Sequence, residues 1–279
     1  MLYWFIGAAA VLAALVYYLH FENTSLKTTR YSVSFDSLPQ GFDGLTVAQI
    51  SDYHNTQSAA LNRRLREAVR SAKPDVIALT GDLIDRRRTD TDTAIRLARD
   101  LCETAPVYYV CGNHDTVSAE RDALLVRLTE AGVHVLINEK TALQNGADGI
   151  CIAGIDDPAR APEWEIGSEV VRRELSQLSL DARQFTILLS HRPEAFAVYA
   201  QQGVQLVLAG HAHGGQIRLP FVGGLFAPVQ GMFPKFTCGV FRQDRTTMVV
   251  SRGVGNSGFP FRVHNRPELV VVTLTLKKS

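Results

Sequence analysis

Between Leu45 and Gly215 the sequence repeats one pattern: a short run of β-branched and other apolar residues stops at a tight group of Gly, Asp, Asn or His, and a stretch with helical periodicity follows. Apolar runs bounded by turn residues read as strands buried on both faces. Strands alternating with amphipathic helices make sheets covered by helices, so the chain is α/β. The spacing predicts strands at Leu45–Ile50, Asp75–Thr80, Pro106–Cys111, Val133–Ile137, Ile150–Ile155, Phe185–Ser190 and Gln205–Ala209, after an edge strand at Arg30–Phe35. Helices are predicted at Ala59–Ser71, Asp90–Glu103, Ser118–Ala131, Ile166–Leu178 and Pro193–Ala200; Pro193 suits a first turn because no backbone donor is needed there. Beyond Gly215 the helical signal ends, and Gly215–Leu219, Thr237–Arg242, Thr246–Ser251 and Glu268–Leu276 read as strands.

Five strand exits carry polar groups: Ser51-Asp52-Tyr53-His54, Gly81-Asp82-Leu83-Ile84-Asp85, Gly112-Asn113-His114-Asp115, Ser190-His191 and Gly210-His211-Ala212-His213. In α/β proteins ligands bind beyond the carboxyl ends of strands, so these groups could meet at one sheet edge. Imidazole and carboxylate oxygen suit Mn, Fe, Zn or Co. Asp-x-His and His-x-His place two side chains on the same side of an extended backbone. Five of the eight histidines fall in these groups. Taken singly, each group also has a plain structural reading. Gly-Asp-Leu-Ile-Asp could be a turn before a capped helix, Gly-Asn-His-Asp a turn with a left-handed asparagine, and His191 a satisfied histidine. Together and in order they point to a metal site.

In that order the motifs resemble the calcineurin-like metallophosphoesterase superfamily: Asp-x-His, Gly-Asp, Gly-Asn-His, a lone His and Gly-His-x-His, over roughly residues 45–215. Gly214-Gly215-Gln216-Ile217-Arg218 and Ser251-Arg252-Gly253-Val254-Gly255 resemble one branch, membrane-associated phosphohydrolases similar to UDP-2,3-diacylglucosamine pyrophosphatases. The resemblance implies a four-layer α-β-β-α sandwich of two mixed sheets flanked by helices. It also implies two divalent ions (Mn, Fe, Zn or Co), with Asp52, His54 and His213 holding one, Asn113, His191 and His211 the other, and Asp82 bridging both. His114 would contact the phosphate or the leaving oxygen, with Asp85 orienting it. The implied reaction is cleavage of a phosphoester or pyrophosphate bond by a bimetal-activated hydroxide. Protein phosphatases continue the second motif as Asp-Arg-Gly and close the third with Glu. Here Asp85 precedes Arg86-Arg87 and His114 precedes Asp115, which argues against a phosphoprotein substrate. Tyr53 stands where Leu is common and is expected to point away from the metals.

Residues 2–19 carry no charge. As a helix they span about 27 Å at ~1.5 Å per residue, near the ~30 Å hydrocarbon core. Tyr3, Trp4, Tyr17 and Tyr18 mark the two interfaces. A cleaved signal peptide would need a basic segment ahead of the run, and none is present; a buried helix is the third reading. The division expected is a transmembrane anchor at 1–21, a tether and first edge strand at 22–44, and the catalytic domain at 45–279. Lys27 and Arg30 follow the span, and the positive-inside rule leans towards a cytoplasmic catalytic domain on a single-pass membrane protein.

A net charge of +1 gives no field pointing to nucleic acid as a specific partner. Arg86-Arg87-Arg88 reads as a solvated turn or a local basic patch. The four cysteines form no CxxC pair and have no zinc-finger spacing; Cys111 and Cys151 lie in apolar runs and read as buried. Residues 217–241 are rich in Phe, Leu, Val and Gly. They read either as an apolar lip that seats acyl chains or touches the bilayer, or as a packed hairpin. With the anchor, the lip makes a lipid or lipid-linked phosphate the leading substrate, ahead of soluble phosphodiesters or nucleotides, and ahead of a non-catalytic scaffold. Arg218 and Arg252 are candidate phosphate contacts or plain surface charges.

Overall fold

The computed structural model describes residues 1–162, 167–256 and 258–277. In chain order its strands are β1 (Lys27–Phe35), β2 (Thr46–Ile50), β3 (Val76–Thr80), β4 (Val107–Val110), β5 (His134–Val135), β6 (Glu139–Asn145), β7 (Asp148–Gly154), β8 (Thr186–Leu189), β9 (Leu206–Ala209), β10 (Arg218–Leu219), β11 (Gly223–Gly224), β12 (Phe226–Ala227), β13 (Gly231–Met232), β14 (Gly239–Gln243), β15 (Thr246–Val250) and β16 (Glu268–Leu276). The helices are α1 (Leu2–Thr24), α2 (Ala59–Ala72), α3 (Thr91–Cys102), α4 (Asn113–Val117), α5 (Arg121–Glu130), α6 (Gly167–Gln177) and α7 (Phe196–Gln201). Two six-stranded mixed sheets run β1-β16-β2-β3-β4-β5 and β14-β15-β9-β8-β7-β6.

Strand alternation explains why the runs are apolar throughout. Val47, Val76, Ala78, Ile187, Leu208 and Val249 fill the space between the sheets. Their neighbours Ala48, Ile77 and Leu79 pack against Leu61, Leu65 and Val69 of α2 and against α3 and α5. On the other side Leu188, Val207, Ala209 and Met248 pack against α6 and α7. The result is the expected four-layer α-β-β-α sandwich. Ser58 and Asp90 cap α2 and α3 by accepting from Leu61 N and Thr93 N, as short polar side chains at helix starts do.

Several segments differ from expectation. The helix expected at Ser118–Ala131 starts later, as α5 (Arg121–Glu130), because Ser118 is extended, and the short α4 stands ahead of it over the third polar group. The strand expected at Val133–Ile137 shrinks to β5, since Asn138 takes a left-handed turn that leads into β6. At Pro193 a 3₁₀ turn (Pro193–Ala195) precedes α7. Ile166, the expected start of α6, lies outside the described residues. In place of one strand at Gly215–Leu219 stand two hairpins, β10–β11 and β12–β13.

None of the apolar 18-residue window of α1 is buried, and the helix is long and apolar enough to cross a membrane. The stretch expected as a tether is two residues, Ser25 and Leu26, before β1 begins at the sheet edge.

Candidate metal centre

β2, β3 and β4 run parallel in one sheet, and β7, β8 and β9 run parallel in the other. The exits of β2, β3, β4, β8 and β9 carry the five polar groups to a common place. The chain does not leave these strands extended. Asp52, His54, Asp82, His211 and His213 have φ of 50°, 47°, 52°, 67° and 46°. This left-handed backbone costs roughly 1–2 kcal/mol per residue. It replaces the extended Asp-x-His geometry expected from sequence, because the loops after β2 and β3 stay paired beyond the sheet. Asp52 N donates to Gly81 O (3.0 Å), His54 N to Asp82 O (2.9 Å) and Asn55 N to Leu83 O (3.0 Å). Tyr53 does turn away, into the helix-side core, with its hydroxyl on Asn62 Oδ1 at 3.1 Å. Two glycines permit the approach: a Cβ on Gly112 would run into the Asp82 carboxylate, and one on Gly210 into the Ser51 hydroxyl.

Asp52, His54, Asp82 and His213 bring ligand atoms within 4.8 Å of one another, and so do Asp82, His191 and His211. Asp82 belongs to both groups, and all six side chains are buried. Asp82 Oδ2 lies 3.6 Å from His54 Nε2 and 3.3 Å from His191 Nε2, and Asp52 Oδ1 lies 3.3 Å from His213 Nε2. The Nε2 atoms of His54 and His213 face each other at 3.2 Å. Asp52 Oδ1 and Asn113 Oδ1, buried acceptors, take no hydrogen bond from the described residues. An unsatisfied buried polar group costs about 1–3 kcal/mol. Oxygen and imidazole donors gathered this way fit two divalent cations sharing Asp82.

Burial pushes His54, His211 and His213 below the ordinary histidine value, keeping them neutral and ready to ligate. His191 is buried too, but the Asp82 and Asp52 carboxylates outweigh that and lift it to about 10. Burial opposes the charge of Asp82, yet the His191 cation beside it holds this carboxyl well below its usual range. His114 is lowered by burial against the pull of Asp82 and Asp85. Its Nδ1 lies 3.6 Å from Asp85 Oδ1, a charge-to-charge distance, while the Arg86 N–H donates to it at 3.3 Å.

The calcineurin-like phosphoesterase model matches residues 45–215. The chain belongs to that family. It is similar to the uncharacterized metallophosphoesterase YkuE of Bacillus subtilis, 34% identical over 266 residues that cover 92% of this chain and 88% of that one. It is also similar to a Danio rerio transmembrane protein with metallophosphoesterase domain, 30% identical over 89% of this chain and 57% of that relative. In fold it matches the crystal structure of TT1561 of Thermus thermophilus, with a TM-score of 0.54, 15% identity, and coverage of 76% and 90%. The chain is thus a phosphoester hydrolase of a family that uses divalent metal ions.

Around its donor cluster this phosphoesterase has supports that the motifs did not flag. Asp115 accepts from the N–H groups of Leu83, Ile84 and Gly112 (3.1, 2.9 and 2.9 Å), tying the β3 and β4 exits together. Arg192 makes a two-pronged ion pair with Asp157 (2.6 and 2.8 Å) and sets Nη1 3.0 Å from His211 Nε2. Gly154-Ile155-Asp156-Asp157 after β7 has the same strand-exit form as the other groups, and that was the available signal. Arg262 is fully buried. It donates to Arg252 O (3.0 Å), Gly255 O (2.6 Å), Asn265 O (3.2 Å) and Asn256 Oδ1 (2.8 Å), stiffening the loop that packs on Asp52.

A cavity of about 550 Å³ opens over the cluster. It is lined by Asp82, Asn113, His114, His211 and His213, by the apolar Leu225, Phe226, Pro228 and Phe259, and by Arg86 and Arg87. Arg218 and Arg252 are engaged elsewhere. Arg218 donates to Gly214 O (2.7 Å) and Thr237 Oγ1 (3.1 Å), and Arg252 Nε lies 3.7 Å from Glu268 Oε1.

Proposed function

We propose that this chain cleaves a phosphoester or pyrophosphate bond in a lipid or lipid-linked substrate at a membrane. Asp52, His54 and His213 would hold one divalent cation, Asn113, His191 and His211 the other, and Asp82 both. The supporting observation is the cavity itself, whose lining combines the carboxylate–imidazole cluster with the apolar side chains of Leu225, Phe226, Pro228 and Phe259. Such a space seats a charged phosphate beside a hydrocarbon tail. When bound, the cations supply Lewis-acid activation of water and hold phosphoryl oxygens. Arg86 and Arg87 add positive charge where the phosphate enters. His114, beside the cluster, would give a proton to the leaving oxygen. Burial disfavours its charged form, and the arriving phosphate, with Asp85 at 3.6 Å, restores it. The α1 end next to Lys27 is also beside Arg64 and Arg266, which donate to the Thr24 and Ser25 carbonyls, and this favours a cytoplasmic catalytic domain.

The two arginines at the cavity suit a soluble phosphodiester or nucleotide as the second reading. Turnover of the full chain in detergent with Mn, on phospholipids and lipid pyrophosphates against nucleotides, separates the two. The lipid series should win by about tenfold or more in kcat/KM, and preference for nucleotides would overturn the lipid reading. His114→Ala serves as the control. It should keep its metal while losing about 10²–10⁴ in turnover, the worth of a positioned acid.

A further inference from the structure

We infer that the end of α1, the two hairpins and the loop at 259–261 form a single membrane-docking surface that holds the mouth of the cavity against the bilayer from which α1 emerges. This rests on the reading of α1 as a membrane span, and it concerns how the domain sits rather than what it cleaves.

The first observation is a clamp. A span followed by a loose linker would leave the domain free to turn, but the last turns of α1 are fastened to Asn256, His264, Asn265 and Arg266. The buried Glu22 carboxylate accepts from Asn265 N (2.7 Å), and Tyr18 Oη accepts from His264 N (3.2 Å). Asn256 Nδ2 donates to Asn23 Oδ1 (2.6 Å), and the Arg266 guanidinium lies over the Phe21 ring at 5.1 Å. The orientation of the domain relative to α1 is therefore fixed by hydrogen bonds.

The second observation is that the same segment frames the cavity. Phe259 lies on the cavity wall. Asn265 Nδ2 donates to His213 O (2.7 Å) and Gln216 O (3.0 Å), and Arg218 N donates to Val263 O (2.9 Å), so the β10–β11 hairpin springs from the strip that grips α1. The β12–β13 hairpin is tied on by Leu225 N to Ile217 O (2.8 Å) and Phe233 N to Leu225 O (2.9 Å).

The third observation is what these elements expose. Phe221, Val229, Met232, Phe233, Phe259 and Phe261 are all exposed. Phe221, Val229 and Phe233 also have φ of 65°, 63° and 53°. Bulky and β-branched residues rarely adopt that region. Neither burial in a core nor turn preference accounts for such residues here. An apolar medium does, because moving apolar side chains out of water is favourable. The bilayer is the occupant because α1 enters it a few residues from this rim. An apolar rim clamped to the end of a span lies at headgroup depth, where aromatic rings favour the interface. A phosphate headgroup could then pass into the cavity while its acyl chains stay in the membrane.

The test uses the full chain in vesicles of phosphatidylcholine with brominated acyl chains, which quench nearby tryptophan. Its two native tryptophans, Trp4 and Trp164, are replaced by Phe, and a single reporter is placed at Phe221→Trp, at Phe233→Trp or, as control, at Arg183→Trp, exposed ahead of β8. The rim reporters should be quenched several-fold more than the control. Equal quenching at all three overturns the docking, and so do unquenched rim reporters that respond to protein concentration, which would assign the rim to a second copy of the chain. A Trp164→Phe chain, with Trp4 as reporter, reads the span alone. Quenching of Trp4 without quenching of the rim refutes the docking and leaves the anchor standing; no quenching of Trp4 refutes both. Contact with acyl chains is read whether or not any lipid is hydrolysed.

Discussion

Asp82 is the side chain on which both donor groups depend, and His191 is the one whose charge reports on it. Ligand histidines must be neutral. In the metal-free chain His54, His211 and His213 already are, whereas His191 is held charged to about 10 by Asp82 and Asp52. Its folded value lies above the ordinary ~6.5. The stability it lends the metal-free chain is therefore fully present below that ordinary value and is lost as pH rises through about 10. Histidine ¹⁵N NMR of the metal-free chain at pH 8 should show His191 protonated, and Mn-free Zn titration should remove that proton. A neutral His191 at pH 8 before metal is added would contradict this. The candidate residues were legible in the sequence because their types and order are unusual. Their left-handed backbone was not, because Asp and His do not favour it on their own; the pairing of the β2 and β3 exits imposes it.

At the scale of elements, the strand exits work only because they can touch. Gly112, just beyond β4, lies against Asp82 with no room for a Cβ. Gly112→Ala should push the Asp82 carboxylate off both donor groups. The expected outcome is at least a tenfold loss of Mn affinity with a stability cost of about 1–3 kcal/mol, typical of overpacking, read by metal titration and thermal melting. Full metal affinity would contradict the account. Strands buried on both faces were legible from their unbroken apolar runs. β6 was not, since its residues are mostly exposed at a sheet edge and carry no apolar signal. A hairpin was one of two readings of residues 217–241, but its division into two hairpins was not legible for a related reason: apolar side chains there follow turn geometry rather than an inside–outside alternation.

The whole molecule is a helix long enough to span a membrane joined without slack to a sandwich whose two sheets bring the candidate donors to one edge. The layers could be anticipated from alternating β and α units, and the span from its lack of charge. The grip of Glu22 on Asn265 could not, because one carboxylate after an apolar run looks like any tether charge until the fold brings residue 265 to it. Every functional claim returns to the convergence of seven side chains on a pair of cations. The direct measurement is anomalous diffraction from crystals of the full chain loaded with Mn. Two peaks per chain are predicted, one among Asp52, His54 and His213 and the other among Asn113, His191 and His211, with Asp82 touching both. A chain that binds one ion or none there, or that holds its metal elsewhere, would contradict the account.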